Sequence, residues 1–151
     1  MSSRRFMLDT DILIFMLRGL KVADPQDERR RRAERIRNRI ECQISEGGQV
    51  CVSMITVCEL EYGVAKAQDS ASQRRALYKV LAPFEVLAAD ESDVPRHYGQ
   101  IRSALDTCGQ PVGAMDLLIA AHALAANATL VTNNTREFGR IKGLHVENWT
   151  E

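Results

Sequence analysis

Four acidic residues stand where apolar segments begin or end: Asp9 and Asp11 in FMLDTDILIF, Glu59 in VSMITVCELEYG and Asp116 in GQPVGAMDLLIAA. A carboxylate set against apolar surface is costly unless something offsets its charge. Several of them, drawn from distant parts of one chain, point to a shared cation. Hard cations such as Mg2+ or Mn2+ take oxygen ligands, keep several waters and use a few carboxylates together with substrate phosphate. Such a cation lowers the pKa of a water, and a pair of them about 3.5–4 Å apart also steadies a leaving oxygen. That chemistry needs acids from separate segments and no histidine. The three histidines agree with it. His97 lies mid-helix in a polar stretch, and His145 lies on the last strand. His122 follows Asp116 by six positions, about 240° around a helix, and so faces elsewhere. This spacing weighs against a zinc site and against a ribonuclease that uses paired histidines. Each acid has a plainer reading as well: Asp9 as a strand-end turn residue, Asp11 as an N-cap, Glu59 as a solvated helix charge. Asp116, inside a nearly all-apolar helix, resists it most.

The elements that position these acids alternate. Arg5–Leu8 reads as a buried strand with Asp9 at its carboxyl end, followed by a helix over 12–17 capped by Thr10 or Asp11. Asp24-Pro25 reads as an N-cap and first helical position, opening a helix to about Glu46 that stops at Gly47-Gly48. Ala33, Ile36, Ile40 and Ile44 form its apolar stripe, and arginines 29–32, 35, 37 and 39 cover the rest. These arginines make either a solvated face or a contact for RNA phosphates. Gln49–Ser53 is a second strand, and Thr56 or Ser53 caps a helix carrying Val57, Leu60 and Val64. Ser70–Leu81 is amphipathic and closed by Pro83, and residues 84–87 form a third strand. Asp90 or Ser92 starts a helix to about Thr107, and a buried helix runs over 114–126. Residues 129–132 form a fourth strand, 136–138 a helical turn, and 144–146 a final edge strand. Short strands alternating with helices imply a parallel sheet covered on both faces, with any site at the carboxyl ends of the strands.

The bulk numbers fit one domain over residues 1–151. Twenty basic and 20 acidic residues leave no net charge, so phosphate binding must rest on a local patch or a bound cation. Cys42, Cys51, Cys58 and Cys108 lack CxxC spacing and read as reduced, buried thiols. The N-terminal apolar run is too short and too charged for a membrane span, and no cleavage site follows, so the expected location is cytoplasmic.

Taken together, FMLDTDILIF, VSMITVCELEYGV, GQPVGAMDLLIAAHALAANATLVTNNTREF and IKGLHVENW resemble the PIN-domain ribonucleases, and more narrowly the VapC toxins of bacterial toxin–antitoxin pairs. The resemblance runs in order across nearly the whole chain and is strongest from Gly109 to Trp149. It implies a three-layer α/β/α sandwich on a short parallel sheet of four to five strands. It also implies Mg2+ or Mn2+ held by Asp9, Glu59 and Asp116, the same three being catalytic, and hydrolytic cleavage of looped transfer or ribosomal RNA. Thr10 and Ser53 would support the metal and phosphate, beside Asp11. The position of a fourth acid is occupied by Asn134, with Glu137 as the residue able to compensate. The implied partners are a VapB-type antitoxin, a second copy in a homodimer, and a higher toxin–antitoxin complex.

Three rivals stand beside this reading. A haloacid-dehalogenase phosphatase shares the hydrophobic-D-x-D signature, but it needs a later lysine and a closing acidic pair where this chain has LVTNNTREF. A catalytically silent PIN module that only binds RNA or protein would not require the acids. A PIN nuclease acting alone in RNA processing would require them but no antitoxin.

Overall fold

Five short strands form one parallel sheet in the computed structural model, which describes residues 3–90 and 93–151. They are Arg5–Leu8 (β1), Gln49–Ser53 (β2), Glu85–Leu87 (β3), Thr129–Val131 (β4) and Val146–Glu147 (β5), in the order β3-β2-β1-β4-β5. Alternation along the strands sends side chains to opposite faces. Phe6, Leu8, Val50, Val52 and Val131 enter one core, with Ile12, Leu13, Ile36 and Ile40 from the helices over it. Met7, Cys51 and Leu130 enter the other, with Leu105, Leu117, Ile119 and Ala120. The three-layer α/β/α expectation is met, with the sheet at the upper end of its expected strand number.

The first face is covered by Thr10–Gly19 (α1), Glu28–Ser45 (α2) and Ser70–Leu81 (α4), and by part of Met54–Lys66 (α3). The second is covered by Val94–Thr107 (α5), Ala114–Ala125 (α6) and the short Thr135–Phe138 (α7). The chain leaves β1 toward β2 on one side and reaches β4 only later on the other. The β1–β4 boundary is therefore a topological switch point, where open sheets of this kind leave a crevice. Leu8 pairs with both Val52 and Val131. The next position along each strand is Asp9, Ser53 and Thr132, one row of polar residues across the sheet's carboxyl edge.

Several local expectations are corrected. Asp9, not Thr10 or Asp11, caps α1, its side chain accepting from the Thr10 N–H, while Asp11 sits in the first turn. α2 starts at Glu28 and not at Pro25, because Asp24 closes a turn, accepting from the Gln26 N–H through its side chain and from the Asp27 N–H through its carbonyl. Asp27 then takes the cap. At the far end of α2 the apolar stripe fails: Ile44 is 48% exposed while Gln43 is buried. α5 begins at Val94 after Asp93. Asp90 does not start it, and the alternative start at Ser92 lies outside the described residues. The last strand is Val146–Glu147, not 144–146. The four cysteines form no disulfide, and only Cys51 is buried.

Several arginines of α2 are spent on the fold. Arg30 pairs with Glu34 and donates to the Leu20 and Val22 carbonyls, and Arg32 stacks on Phe15. Arg35 donates to the Thr150 carbonyl, and Arg39 reaches Glu147 and the Trp149 ring. Trp149 is fully buried against Phe6, with ring centroids 5.1 Å apart, so the tail is stapled beneath α2. The close approach of α1 and α2 depends on Gly19, where an added Cβ would collide with the Arg29 carbonyl and stand 2.6 Å from the Ala33 Cβ. Gly19→Ala is accordingly expected to lower stability by about 1–3 kcal/mol, the usual cost of overpacking. A urea titration reads this directly, and an unshifted midpoint would refute the close-packing account.

Candidate functional site

Asp9 is 4% exposed and sits at the head of the polar row. Its Oδ1 accepts from the Thr10 N–H at 2.8 Å, and its Oδ2 accepts from the Thr132 hydroxyl at 2.8 Å. Asp11, in the first turn of α1, accepts from the Asn133 N–H at 3.1 Å and faces the same Thr132 hydroxyl. Glu59 reaches the site from α3, where the Thr10 hydroxyl donates to its Oε1 at 2.6 Å. That hydroxyl also lies 3.2 Å from the buried Thr56 hydroxyl. Asp116 stands in the first turn of α6 and is half-buried. Glu137 comes from α7, held by the Asn134 side-chain amide, which donates to its Oε2 at 3.0 Å.

The pKa shifts join these acids into one electrostatic unit. Burial, then the Asp11 charge, pushes Asp9 up to about 7, against the hydrogen bonds from Thr132 and Thr10. Asp11 is also raised, chiefly by burial, although the Asn133 N–H favours its charged form. Burial lifts Asp116 to about 6, helped by the charges of Asp9, Glu59 and Glu137. Four segments far apart in sequence thus bring their carboxylates together, Asp116 lying in the fields of Asp9, Glu59 and Glu137. Among the described residues, no ion pair reaches any of the five; the arginines pair with Glu28, Glu34, Glu61, Asp27, Asp93 and Glu147 instead.

A divalent cation fits this donor set. The available donors are all oxygen, Asp9, Asp11 and Asp116 are desolvated, and among the described residues no basic side chain pairs with the cluster. Among the described residues no three acids already stand as a closed ligand set. Mg2+ in particular is held by one or two carboxylates and several waters, so it does not require a closed set.

Of the residues named from sequence, Asp9, Asp11, Glu59, Asp116, Thr10, Asn134 and Glu137 converge at this edge. Ser53 is placed differently from a group open to a ligand. It is fully buried, its Oγ accepting from the Ile55 N–H as the cap of α3 and lying 2.7 Å from the His122 Nδ1. Sequence reading missed Thr132, which holds Asp9 and whose hydroxyl also accepts from the Asn134 N–H at 3.0 Å. The available signal was a lone threonine ending an apolar strand beside an acid-tipped one.

The sequence matches the PIN domain family over residues 6–144. It is 35% identical over 146 residues to a tRNA(fMet)-specific endonuclease VapC of Shigella flexneri, covering 97% of this chain and 98% of that one. Among solved structures, VapBC2 of Rickettsia felis bound to a DNA fragment from its promoter superposes with a TM-score of 0.81 at 34% identity, covering 96% and 98% of the two chains. DNA-bound VapBC of Salmonella typhimurium superposes with a TM-score of 0.80 at 36% identity, covering 97% and 98%.

The raised pKa values fix a sign for pH dependence. In the folded, cation-free protein Asp9 and Asp116 hold their protons to about 7 and 6, against an ordinary 3.8. Their contribution to stability is therefore full below about pH 4 and is lost as pH rises toward 7. Asp27, held down to about 2 by its hydrogen bonds from Arg29, titrates below this window. In EDTA the urea midpoint should fall between pH 5 and pH 7.5, fall less in Asp9→Asn, and recover at pH 7.5 on adding Mn2+. A midpoint that rises over that interval would contradict the desolvation of Asp9.

Proposed function

The chain belongs to the PIN-domain family, among the VapC ribonucleases, and from that membership we propose that it is a metal-dependent endoribonuclease toxin of the cytoplasm, restrained by a VapB-type antitoxin. The observation that carries the metal dependence is the convergence of Asp9, Asp11 and Asp116, all desolvated by burial, with the half-buried Glu59 and Glu137, and with no cationic side chain paired to any of them among the described residues.

Asp9, Glu59 and Asp116 would hold Mg2+ or Mn2+, with Glu137 supplying the charge that Asn134 lacks. When bound, such a cation supplies Lewis-acid stabilisation of the phosphate and a water of lowered pKa for attack on phosphorus. The chain's own groups do the positioning. Thr10 fixes the Glu59 carboxylate from α1 while its N–H fixes Asp9, so one residue orients acids from two elements. Thr132 holds the second oxygen of Asp9, and Asn134 holds Glu137. The proton that Asp9 keeps to about pH 7 has to leave before the carboxylate can serve as a ligand, so affinity for the cation rises with pH. A transfer RNA is the preferred substrate reading, since the Shigella relative is named for one.

An apolar trough between α1, α2 and α4 is the proposed antitoxin seat. Leu17, Ile40, the half-exposed Ile44, Val80 and Phe84 line it, and Lys21, Arg37 and Lys79 edge it. A neighbouring cleft shares Leu17 and Lys21 and ends at Glu59. An acidic amphipathic segment laid there would run toward the carboxylates, where a basic side chain at its tip would be drawn in.

Labelled transfer RNA incubated with Mn2+ should be cut, and EDTA should stop the reaction. Asp9→Asn and Asp116→Asn should reduce cleavage to background with the circular dichroism spectrum unchanged, and Glu137→Gln should weaken Mn2+ binding. Full activity in Asp116→Asn would overturn the site assignment. Ile44→Asp should leave cleavage intact while abolishing inhibition by the antitoxin; undiminished inhibition would move the antitoxin to another face.

A further inference from the structure

Resting on that reading, we propose that His122 is a positioning residue for the metal site: its hydrogen bond with Ser53 locks the helix carrying Asp116 to the helix carrying Glu59. His122 and Ser53 are both fully buried, and Nδ1 and Oγ stand 2.7 Å apart across 69 positions of sequence. Ser53 ends β2 and caps α3, accepting from the Ile55 N–H at 3.1 Å. His122 lies in the last turn of α6, whose first turn bears Asp116.

The packing around that bond is largely apolar. Ile55 joins Leu117, Ile119 and Cys51 in one hydrophobic cluster. Apolar contacts depend on area and have no direction, so alone they let two helices slide or roll by fractions of an ångström. A hydrogen bond has a preferred length and angle and removes that freedom. A helix transmits displacement along its axis, and six residues span only about 9 Å, so a shift at His122 is felt at Asp116. Ligand distances in metal sites are held to about ±0.2 Å, a smaller margin than unpinned helix packing keeps. The N-terminal half of α3 is thus fixed from two sides: by Thr10, which reaches Thr56 and Glu59, and by His122 through Ser53. His122 also faces away from Asp116, so it acts on the acid through the helix and not by contact.

The test is Mn2+ affinity, read by calorimetry on the intact protein. His122→Leu keeps the volume and loses the hydrogen bond, and it should weaken binding about tenfold or more, as loss of groups supporting a ligand commonly does. His122→Asn places an amide near the Nδ1 position and should recover most of the affinity. Ser53→Ala should weaken binding like His122→Leu, and the double variant should be no worse than the weaker single one. Leu81→Ala, a core truncation at the end of α4, a helix that bears no site residue, should lower stability yet bind Mn2+ normally, which separates positioning from general stability. His122→Leu with wild-type affinity, or His122→Asn as weak as His122→Leu, would overturn the inference. If His122→Leu does not fold, unchanged affinity in folded Ser53→Ala overturns it equally. Failure of the wild-type protein to bind Mn2+ would overturn this inference and the metal reading together, whereas normal wild-type binding with unaffected variants overturns this inference alone.

Discussion

Like charges withheld from water and from each other's counter-ions are the constraint around which this molecule is organised. Asp9, Asp11 and Asp116 all titrate above their ordinary value, and burial is the largest cause in each case. A carboxylate so placed destabilises the fold when ionised. The chain keeps several such groups together, so the remaining structure has to hold them against their own repulsion. Two hydrophobic faces on a five-stranded sheet do this, with β1 flanked on both sides by parallel partners. The strand register carries Asp9 to the edge beside Ser53 and Thr132, and the later crossover to β4 opens the crevice there.

What touches the acids is as telling as where they sit. Among the described residues, their donors include the Thr10, Thr132 and Asn134 side chains and the N–H groups of Thr10 and Asn133, all neutral. Neutral donors orient a carboxylate without cancelling its charge. An arginine in any of those places would lower the acid's pKa and occupy the lone pairs a cation needs. The chain has arginines to spare, yet directs them to outer carboxylates and to the C-terminal tail. Zero net charge therefore hides a separation: paired charges on the outside, unpaired acids at one strand-end edge.

The sheet and the principal acids were legible because they break strong patterns. Asp9 interrupts a run that should otherwise be buried throughout, and Asp116 is the one acid in an almost wholly apolar helix. Helix starts were less legible, since Asp24 and Asp27 are both competent caps. Only the closure of the turn at Asp24 decides between them, and that depends on where α1 ends. Gln43 and Ile44 exchange the burial expected of them because the helical stripe drifts as the chain turns toward Gly48 to enter β2. Thr132 could not be assigned a role from sequence alone, because its partner is 123 positions away and the pairing follows from strand order. The buried thiols failed as a general expectation because only Cys51 lies on a strand, whereas Cys42 and Cys58 fall on outer helical positions and Cys108 lies just past the end of α5.

The same reasoning explains why two threonines and an asparagine matter here as much as the acids they touch. Thr10 holds Asp9 through its N–H and Glu59 through its hydroxyl, so the separation of those two carboxylates is set within one residue. Thr132 donates to Asp9 and accepts from the Asn134 N–H, and the Asn134 amide then holds Glu137. This chain of bonds begins at β1 and ends on α7. Replacing the expected fourth acid by Asn134 therefore does not leave that corner empty. It places there a donor that aims an acid three residues further on, which keeps negative charge at the site. The cost is reach: Glu137 acts from a longer side chain on a helix of four residues, and its place depends on one hydrogen bond where a strand-end aspartate would be fixed by the sheet.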